Sequence, residues 1–383
     1  MTTNLTSVAT IEEEEEGEEF ALEIVVTFGI FIAIVIVVAI VGNVFTIAAF
    51  IKDRKLRTVY NIYIVNLAVT DLLLGCVSMP FYAVYTLKSY TWPFGYHFCK
   101  LFMVTDFTLC LEAVIIMIIL SFDRLLLLKL GPRYICKETN TVAYIKIAIS
   151  WVISFLLYSP AIIGWDIWTE EDTNEPGDCD VQFAHDFDFT ITTAVIEFGI
   201  PFICISALNL IIYSEIRKRI RVRDLKNVPI FVPSGSAVTS ASVSCSVNND
   251  VMKKQTEQPN KPANGSKTQN VGVSVPTTSK DTQKIRAVRK DMKAAKSLGL
   301  LVIVFAVTWA PYTIATIIIS ACETCVNENV YEFLNWLLWT KAALNPFLYA
   351  YNNQRFREHF TSFLMCQKKH NRINMDQNVS TIG

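Results

Sequence analysis

From Phe20 to Ile51 the chain carries a single ionisable side chain, Glu23. That run exceeds the ~20 residues an α-helix needs to cross a bilayer. Counting this run as 21–51, apolar stretches recur at 59–86, 99–128, 143–165, 189–213, 298–320 and 330–350. Polar, Gly- or Pro-bearing connections separate the seven. In lipid each backbone N–H and C=O must be bonded inside its own element or across a closed barrel. Barrel strands alternate polar and apolar residues over about ten positions, and these stretches do not. The expected fold is therefore an all-α membrane protein, a bundle of seven transmembrane helices with a short amphipathic helix after the last.

Charge supports this reading by its scarcity and its placement. Charged residues make up 18% of the chain, against roughly 25% in a soluble domain. Eight Glu fall in the first 23 residues, whereas the first basic residue is Lys52. An acidic start and an apolar run about twice the length of a signal core argue against a cleaved signal peptide. Counting Arg124 and Lys146 at the boundaries, thirty-one of the 34 Lys and Arg fall after the first, third, fifth and seventh stretches. By the positive-inside bias those segments are cytoplasmic and the N-terminus is extracellular. Asn4, in the triplet Asn4-Leu5-Thr6, is then a glycosylation acceptor. No basic face of the kind that binds nucleic acid is present.

Five regions follow: an acidic extracellular N-terminus at 1–20, transmembrane helices 1 to 5 at 21–222, a cytoplasmic loop at 223–284, helices 6 and 7 at 285–351, and an amphipathic helix with tail at 352–383. No aromatic residue lies between Phe231 and Phe305, and 233–283 is dominated by Ser, Thr, Asn, Gln, Lys and Pro. Such a composition cannot bury enough apolar surface to fold, so disorder is expected. The basic ends of this loop form either a solvated face or a docking surface for a partner.

The ten cysteines sort by side. Cys99 and Cys179 both fall outside, where oxidation would let them tie the outer loop to the bundle. Cys322 and Cys325 can close a small ring outside the sixth helix. A lone CxxC has no companion pair, so neither zinc nor another metal is expected. Cys366, one short helix beyond the seventh span, is either a palmitoylation site or a reduced thiol.

Ionisable groups within a span are costly and mark function by default. Asp71, Asp106, Glu112, Asp123 with Arg124, Glu197 and Lys341 are such groups. Asp106 and Asp123 are 17 residues apart on one helix, or about 25 Å at ~1.5 Å per residue. Asp106 therefore lies near the outer mouth and Asp123 at the inner boundary. Cys110 shares a face with Asp106, and Phe107, Tyr82, Tyr312, Thr313, Trp309, Trp336 and Trp339 supply the surrounding wall. A carboxylate among aromatic faces suits an organic ammonium, through ion pairing and cation–π attraction. The alternative is that these rings only pack the bundle.

Nearly the whole chain resembles a rhodopsin-like (class A) G-protein-coupled receptor. The resemblance rests on Gly42-Asn43, Leu67 to Asp71, Asp123-Arg124-Leu125, Trp151, Pro201, the Phe305 to Pro311 segment FAVTWAP, and Asn345-Pro346-Phe347-Leu348-Tyr349. It implies that Asp106 takes the position that binds the ligand ammonium in aminergic members. Glu197, four residues before Pro201, faces the same cavity from the opposite wall. A buried Glu needs a cationic or donating partner, and histamine offers an ammonium for Asp106 and an imidazole for Glu197. Glu197-Phe198, Trp309 to Thr313, Trp336 to Trp339, and Trp92 to Gly95 resemble the third and fourth histamine receptor subtypes. Muscarinic acetylcholine receptors are the rival, although they offer Asn where this chain has Thr313.

The resemblance also assigns a switch and a departure. Arg124 is expected to pair with Asp123 and with Asp291 at the inner end of the sixth helix. Phe305, Trp309, Pro311, Asn345, Pro346 and Tyr349 would carry the change that admits a heterotrimeric G protein, the inhibitory class by similarity to those subtypes. Asp71 usually helps hold a sodium ion, but the matching positions here are Ala113, Lys341 and Ala342. The Lys341 ammonium is expected to replace that ion by reaching Asp71 or Glu112. Alternatively Glu112 faces the fourth or fifth helix as a hydrogen-bonded acid. An ion- or proton-coupled transporter is disfavoured by the odd number of spans and the lack of an internal repeat. No cofactor and no catalytic cluster is expected: the four His fall outside the spans, so the chain does not read as an enzyme.

Overall fold

The computed structural model describes residues 3–88, 90–169, 177, 179, 186–226, 278–322 and 324–365; for 3–25, 132, 166, 169, 222–226, 278–291, 293–295 and 297 the description extends to the backbone alone. The Cys366 position and the middle of the long loop, 227–277, lie outside the described residues. The described elements are helical throughout: α1 (Thr3–Lys52), α2 (Val59–Leu73), α3 (Met79–Leu87), α4 (Tyr96–Leu130), α5 (Pro132–Lys137), α6 (Asn140–Thr169), α7 (Phe187–Ala194), α8 (Ile200–Lys226), α9 (Thr278–Ala321), α10 (Glu328–Asn352) and α11 (Gln354–Leu364). α2 and α3 are one span joined by a wide π turn, Leu74–Ser78, and α7 and α8 are joined likewise by Val195–Gly199. One compact unit comprises 1–214 with 293–383; the second, 215–292, holds the inner ends of α8 and α9.

Among the described residues six spans are long and apolar enough to cross a membrane: Val26–Lys52, Val59–Leu87, Tyr96–Leu130, Asn140–Trp165, Phe187–Arg221 and Leu298–Ala321. The seventh, α10, falls short on apolarity rather than length. Glu332, Asn335, Lys341 and Asn345 interrupt it, yet all four are buried within the bundle. α10 is therefore polar because it is an inner helix, not because it lies outside the membrane.

Helix ends follow local chemistry. Thr58, Asp186, Asn327 and Asn353 each occupy an N-cap, with the side-chain oxygen accepting a backbone N–H of the first turn. Gly95 (φ 81°) precedes α4 and Gly131 (φ 56°) follows it. Both sit in backbone regions that a side chain would strain.

The core lies where α1, α2, α4, α9 and α10 converge, around Leu67, Leu74, Ala113, Ile116, Leu120, Phe305, Trp309, Trp336 and Trp339. α1 and α10 meet at Gly42, where an added Cβ would come within 2.8 Å of the Pro346 ring. Beside that contact, Asn43 Nδ2 donates to the carbonyls of Ala39 at 2.8 Å and Ala342 at 3.0 Å. The proline ring fills space that only a glycine leaves, and Asn43 satisfies carbonyls in both helices.

α11 is the expected amphipathic helix. Phe356 is fully buried, and Phe360 and Phe363 pack on Phe45 at 5.9 and 5.3 Å between ring centroids. Burial of a Phe contributes about 1.5–3 kcal/mol. Asp53, just past α1, accepts from Arg355 at 3.0 Å and faces His359 at 3.5 Å. Desolvation pushes the Asp53 carboxyl up, but the Lys55 N–H, Arg355 and His359 together outweigh it and hold the group below its ordinary range.

Gly42→Ala should lower thermal stability by about 1–3 kcal/mol, the usual cost of overpacking a tight contact. A melting curve of the detergent-solubilised protein would show this as a drop of several degrees.

Candidate functional site

The outer half of the bundle gathers the acidic and aromatic residues expected to bind ligand. Asp106 lies on α4, half-buried, with its Oδ1 enclosed and without a hydrogen-bond partner. Cys110, one turn further in, is buried. Glu197 sits in the wide turn Val195–Gly199 and faces Tyr158 of α6, with Asp106 and Lys341 as its other charged neighbours. A π turn inserts one extra residue into a helical turn and often marks a functional site; here it directs Glu197 inward. Phe107 packs on Tyr158 at 5.1 Å.

Aromatic rings close the cluster. Tyr82 contacts Trp339 at 5.1 Å and Trp336 at 6.0 Å, and the two tryptophans meet edge to face at 5.1 Å. Trp309 packs on Phe305 at 5.2 Å, and Thr313 donates to the Trp309 carbonyl at 3.1 Å. Tyr312 stacks on Tyr331, whose hydroxyl donates to that of Tyr312 at 3.3 Å. The Ser78 hydroxyl and the Trp339 indole N–H are buried and face the Asp106 carboxyl without closing a well-formed hydrogen bond, and the Thr108 hydroxyl is buried beside them.

Sequence reasoning passed over Glu332, although it falls inside the seventh apolar stretch. It is buried, and its carboxylate accepts from Tyr82 at 2.9 Å, Thr86 at 2.7 Å and Trp336 at 2.8 Å. The signal was present: Glu332 stands one turn before Trp336, so the indole N–H can reach back to it. Tyr82 and Trp336 thus have their polar ends committed to Glu332 and turn their rings toward the rest of the cluster.

Of the groups expected to pair inside the membrane, Glu112 belongs elsewhere. It accepts from Asn66 at 2.8 Å, Ser150 at 2.9 Å and Ser154 at 3.1 Å, joining α2, α4 and α6. The alternative in which Glu112 faces the fourth helix is the arrangement found, because three donors there outbid a distant lysine. Asp71 is fully buried, accepts from Asn345 at 2.7 Å, and leaves its Oδ1 unbonded. Lys341 does not bond to it. Its buried ammonium has no hydrogen-bond partner and lies 4.2 Å from the centroid of the Trp309 ring. Asp71, Asp106 and Glu197 are all within its electrostatic reach.

At the inner boundary the expected Asp123–Arg124 pairing gives way to two separate contacts. Asp123 accepts from Tyr134 at 2.8 Å, and the Arg124 guanidinium stacks 3.2 Å above the Tyr60 ring. Tyr134, in the loop helix α5, has its phenol pushed up, first by burial and then by Asp123. Asp291 lies in α9 where only the backbone is described. Pro311 and Pro346 lie inside α9 and α10, and the Tyr349 hydroxyl is buried without a partner. Disulfides join Cys99 to Cys179 and Cys322 to Cys325, as expected outside the membrane. The Asn4 side chain lies outside the described residues.

A helical bundle that crosses a membrane, with an enclosed charged and aromatic cluster in one half and Arg124 at the other end, has the build of a multi-pass receptor. Residues 42–349 match the family described as "7 transmembrane receptor (rhodopsin family)", and the chain belongs to that family. It is 27% identical to the histamine H4 receptor of Mus musculus over 375 residues, covering 89% of this chain and 92% of that protein. A probable G-protein coupled receptor, No18, of Amphibalanus amphitrite is 27% identical over 95% of each chain. The muscarinic acetylcholine receptor M4 of Xenopus laevis is 24% identical, covering 87% of this chain and 90% of that one. A receptor family of this kind is not an enzyme family.

Glu332→Ala should cost about 2–4 kcal/mol, because three buried donors lose their acceptor at once. A thermal melt of the purified receptor checks this. Glu332→Gln, which keeps one carbonyl acceptor, should lose less.

Proposed function

We propose that this receptor binds a biogenic amine, histamine before others, and signals through a heterotrimeric G protein, with the inhibitory class favoured. The observation that carries the reading is the pair Asp106 and Glu197, set as electrostatic neighbours within one aromatic enclosure. An ethylammonium on Asp106 and an imidazole N–H directed at Glu197 would give each carboxylate a partner. Tyr82, Phe107, Cys110, Tyr312, Thr313, Trp336 and Trp339 are proposed as its walls. The relatives support the class without separating its ligands, since they include proteins named for histamine and for acetylcholine. A muscarinic-like acetylcholine receptor is the second reading. Glu197 favours the first, because the acetyl ester of acetylcholine has no hydrogen to donate to a carboxylate.

The receptor is proposed to sit in the plasma membrane with its N-terminus outside, Asn4 glycosylated and Cys366 palmitoylated. Of the 34 basic residues, 31 would then face the cytoplasm. Phe305 and Trp309, stacked beneath the enclosure, would pass ligand contacts to the Pro311-bent helix. Arg124 and Asp291 are proposed as a latch that opens when α9 moves. A ligand can drive this only through a difference in its affinity for the two states.

A panel of biogenic amines on transfected cells, read as cAMP and calcium, tests the reading. Asp106→Asn should reduce the histamine response at least about a hundredfold, the loss of roughly 3 kcal/mol of charge-assisted bonding. Glu197→Gln should reduce histamine potency about tenfold. Unchanged potency in the Glu197 variant would remove histamine, and silence toward every amine would remove the class. Asp291→Ala should raise ligand-independent signalling, and unaltered basal cAMP would overturn the latch.

A further inference from the structure

Lys341 is the one group in the enclosure whose position the amine reading leaves unexplained. A buried ammonium without a hydrogen bond costs several kcal/mol unless something faces it. Two carboxyl oxygens in the same bundle are likewise enclosed and unbonded, Oδ1 of Asp71 on the inner side and Oδ1 of Asp106 on the outer side. The Lys341 ammonium bonds to neither and rests on the Trp309 ring. A cation over an indole face is stabilised by the ring quadrupole, most strongly where water is excluded. The lysine thus occupies a station between two carboxylates, held by an aromatic face, which is the environment an amine ligand would seek.

We propose that the Lys341 ammonium is a tethered occupant of the amine site and sets its charge selectivity. The inference rests on the amine reading and deepens it. With Lys341 present, the negative charge that Asp106 and Glu197 offer an incoming ligand is reduced by an ammonium that they share with Asp71. The preferred ligand carries a single cation, placed on Asp106, and a neutral donor directed at Glu197. A second cationic end would meet the lysine ammonium across a few ångströms of low-dielectric interior, where like charges repel strongly. A single ammonium arriving at Asp106 repels the lysine inward. Asp71, with its free Oδ1, is there to receive it. Trp309 would lose its cation in that step, so ligand arrival and a change at the Trp309 ring are one event.

The test uses the full-length receptor in detergent, with thermal unfolding as the readout and small amines of matched length as probes. In Lys341→Ala the vacated station should bind n-butylammonium in addition to the Asp106 site, raising the unfolding midpoint in a saturable way and by clearly more than the same amine raises it in the wild type. In Lys341→Met, which keeps the stem but not the charge, 1,5-diaminopentane should gain about tenfold or more in apparent affinity relative to n-pentylamine. The methionine variant carries the test alone where the alanine variant does not accumulate. No rescue by n-butylammonium together with no gain for the diamine overturns the proposal, even if histamine activates the wild type. Rescue and diamine gain in a receptor silent to histamine would uphold the tethered cation and remove the histamine reading.

Discussion

A carboxylate inside a helix bundle surrounded by lipid must be met by donors or by opposite charge, because no water is present to solvate it. How many donors meet it separates the framework of this receptor from its working parts. Glu112 accepts three hydrogen bonds from α2 and α6, and Glu332 accepts three from α3 and α10. Both serve as bolts between helices. Asp71 is met by one donor and has an unbonded oxygen, and so does Asp106. These incompletely met acids lie on either side of the lysine, where an exchange of partners costs least.

Most of the fold was legible in the sequence because the bilayer imposes a single solution on long apolar runs. All seven spans read as apolar stretches, α10 among them at 330–350 in spite of its buried polar residues. The short amphipathic helix expected after the last span is α11. The two outer disulfides followed from sidedness. What the sequence could not convey was direction within a span. Glu112 and Asp106 are six residues apart on α4, about 1.7 helical turns, so they point to different faces. Nothing in their identity says which face meets Ser150. Glu332 was missed for the opposite reason, since a Glu near a helix start reads as an ordinary solvated first-turn acid.

The inner boundary illustrates how local chemistry overrides a motif. Asp123 and Arg124 are adjacent, but neighbours on a helix point about 100° apart. Tyr134 from α5 supplies Asp123 with a neutral donor, and Tyr60 gives Arg124 an aromatic face. The arginine is thereby parked flat on a ring, a position from which it can leave without stranding a carboxylate.

The two wide turns have a consequence for how such a pocket can vary. Each inserts one residue into an otherwise regular helix, so the side chains outside it are rotated by about 100° relative to an uninterrupted helix. The inner halves of the second and fifth spans keep their register with the rest of the bundle whatever happens outward of Leu74–Ser78 or Val195–Gly199. With the inner half held at Pro201, loss of Phe198 or Gly199 would rotate Glu197 by about 100° around the helix axis and bring a neighbour into its place. The half of the bundle that holds Asp106 and Glu197 can in this way be redrawn by indels of one residue, without changing the composition of the helices beneath it.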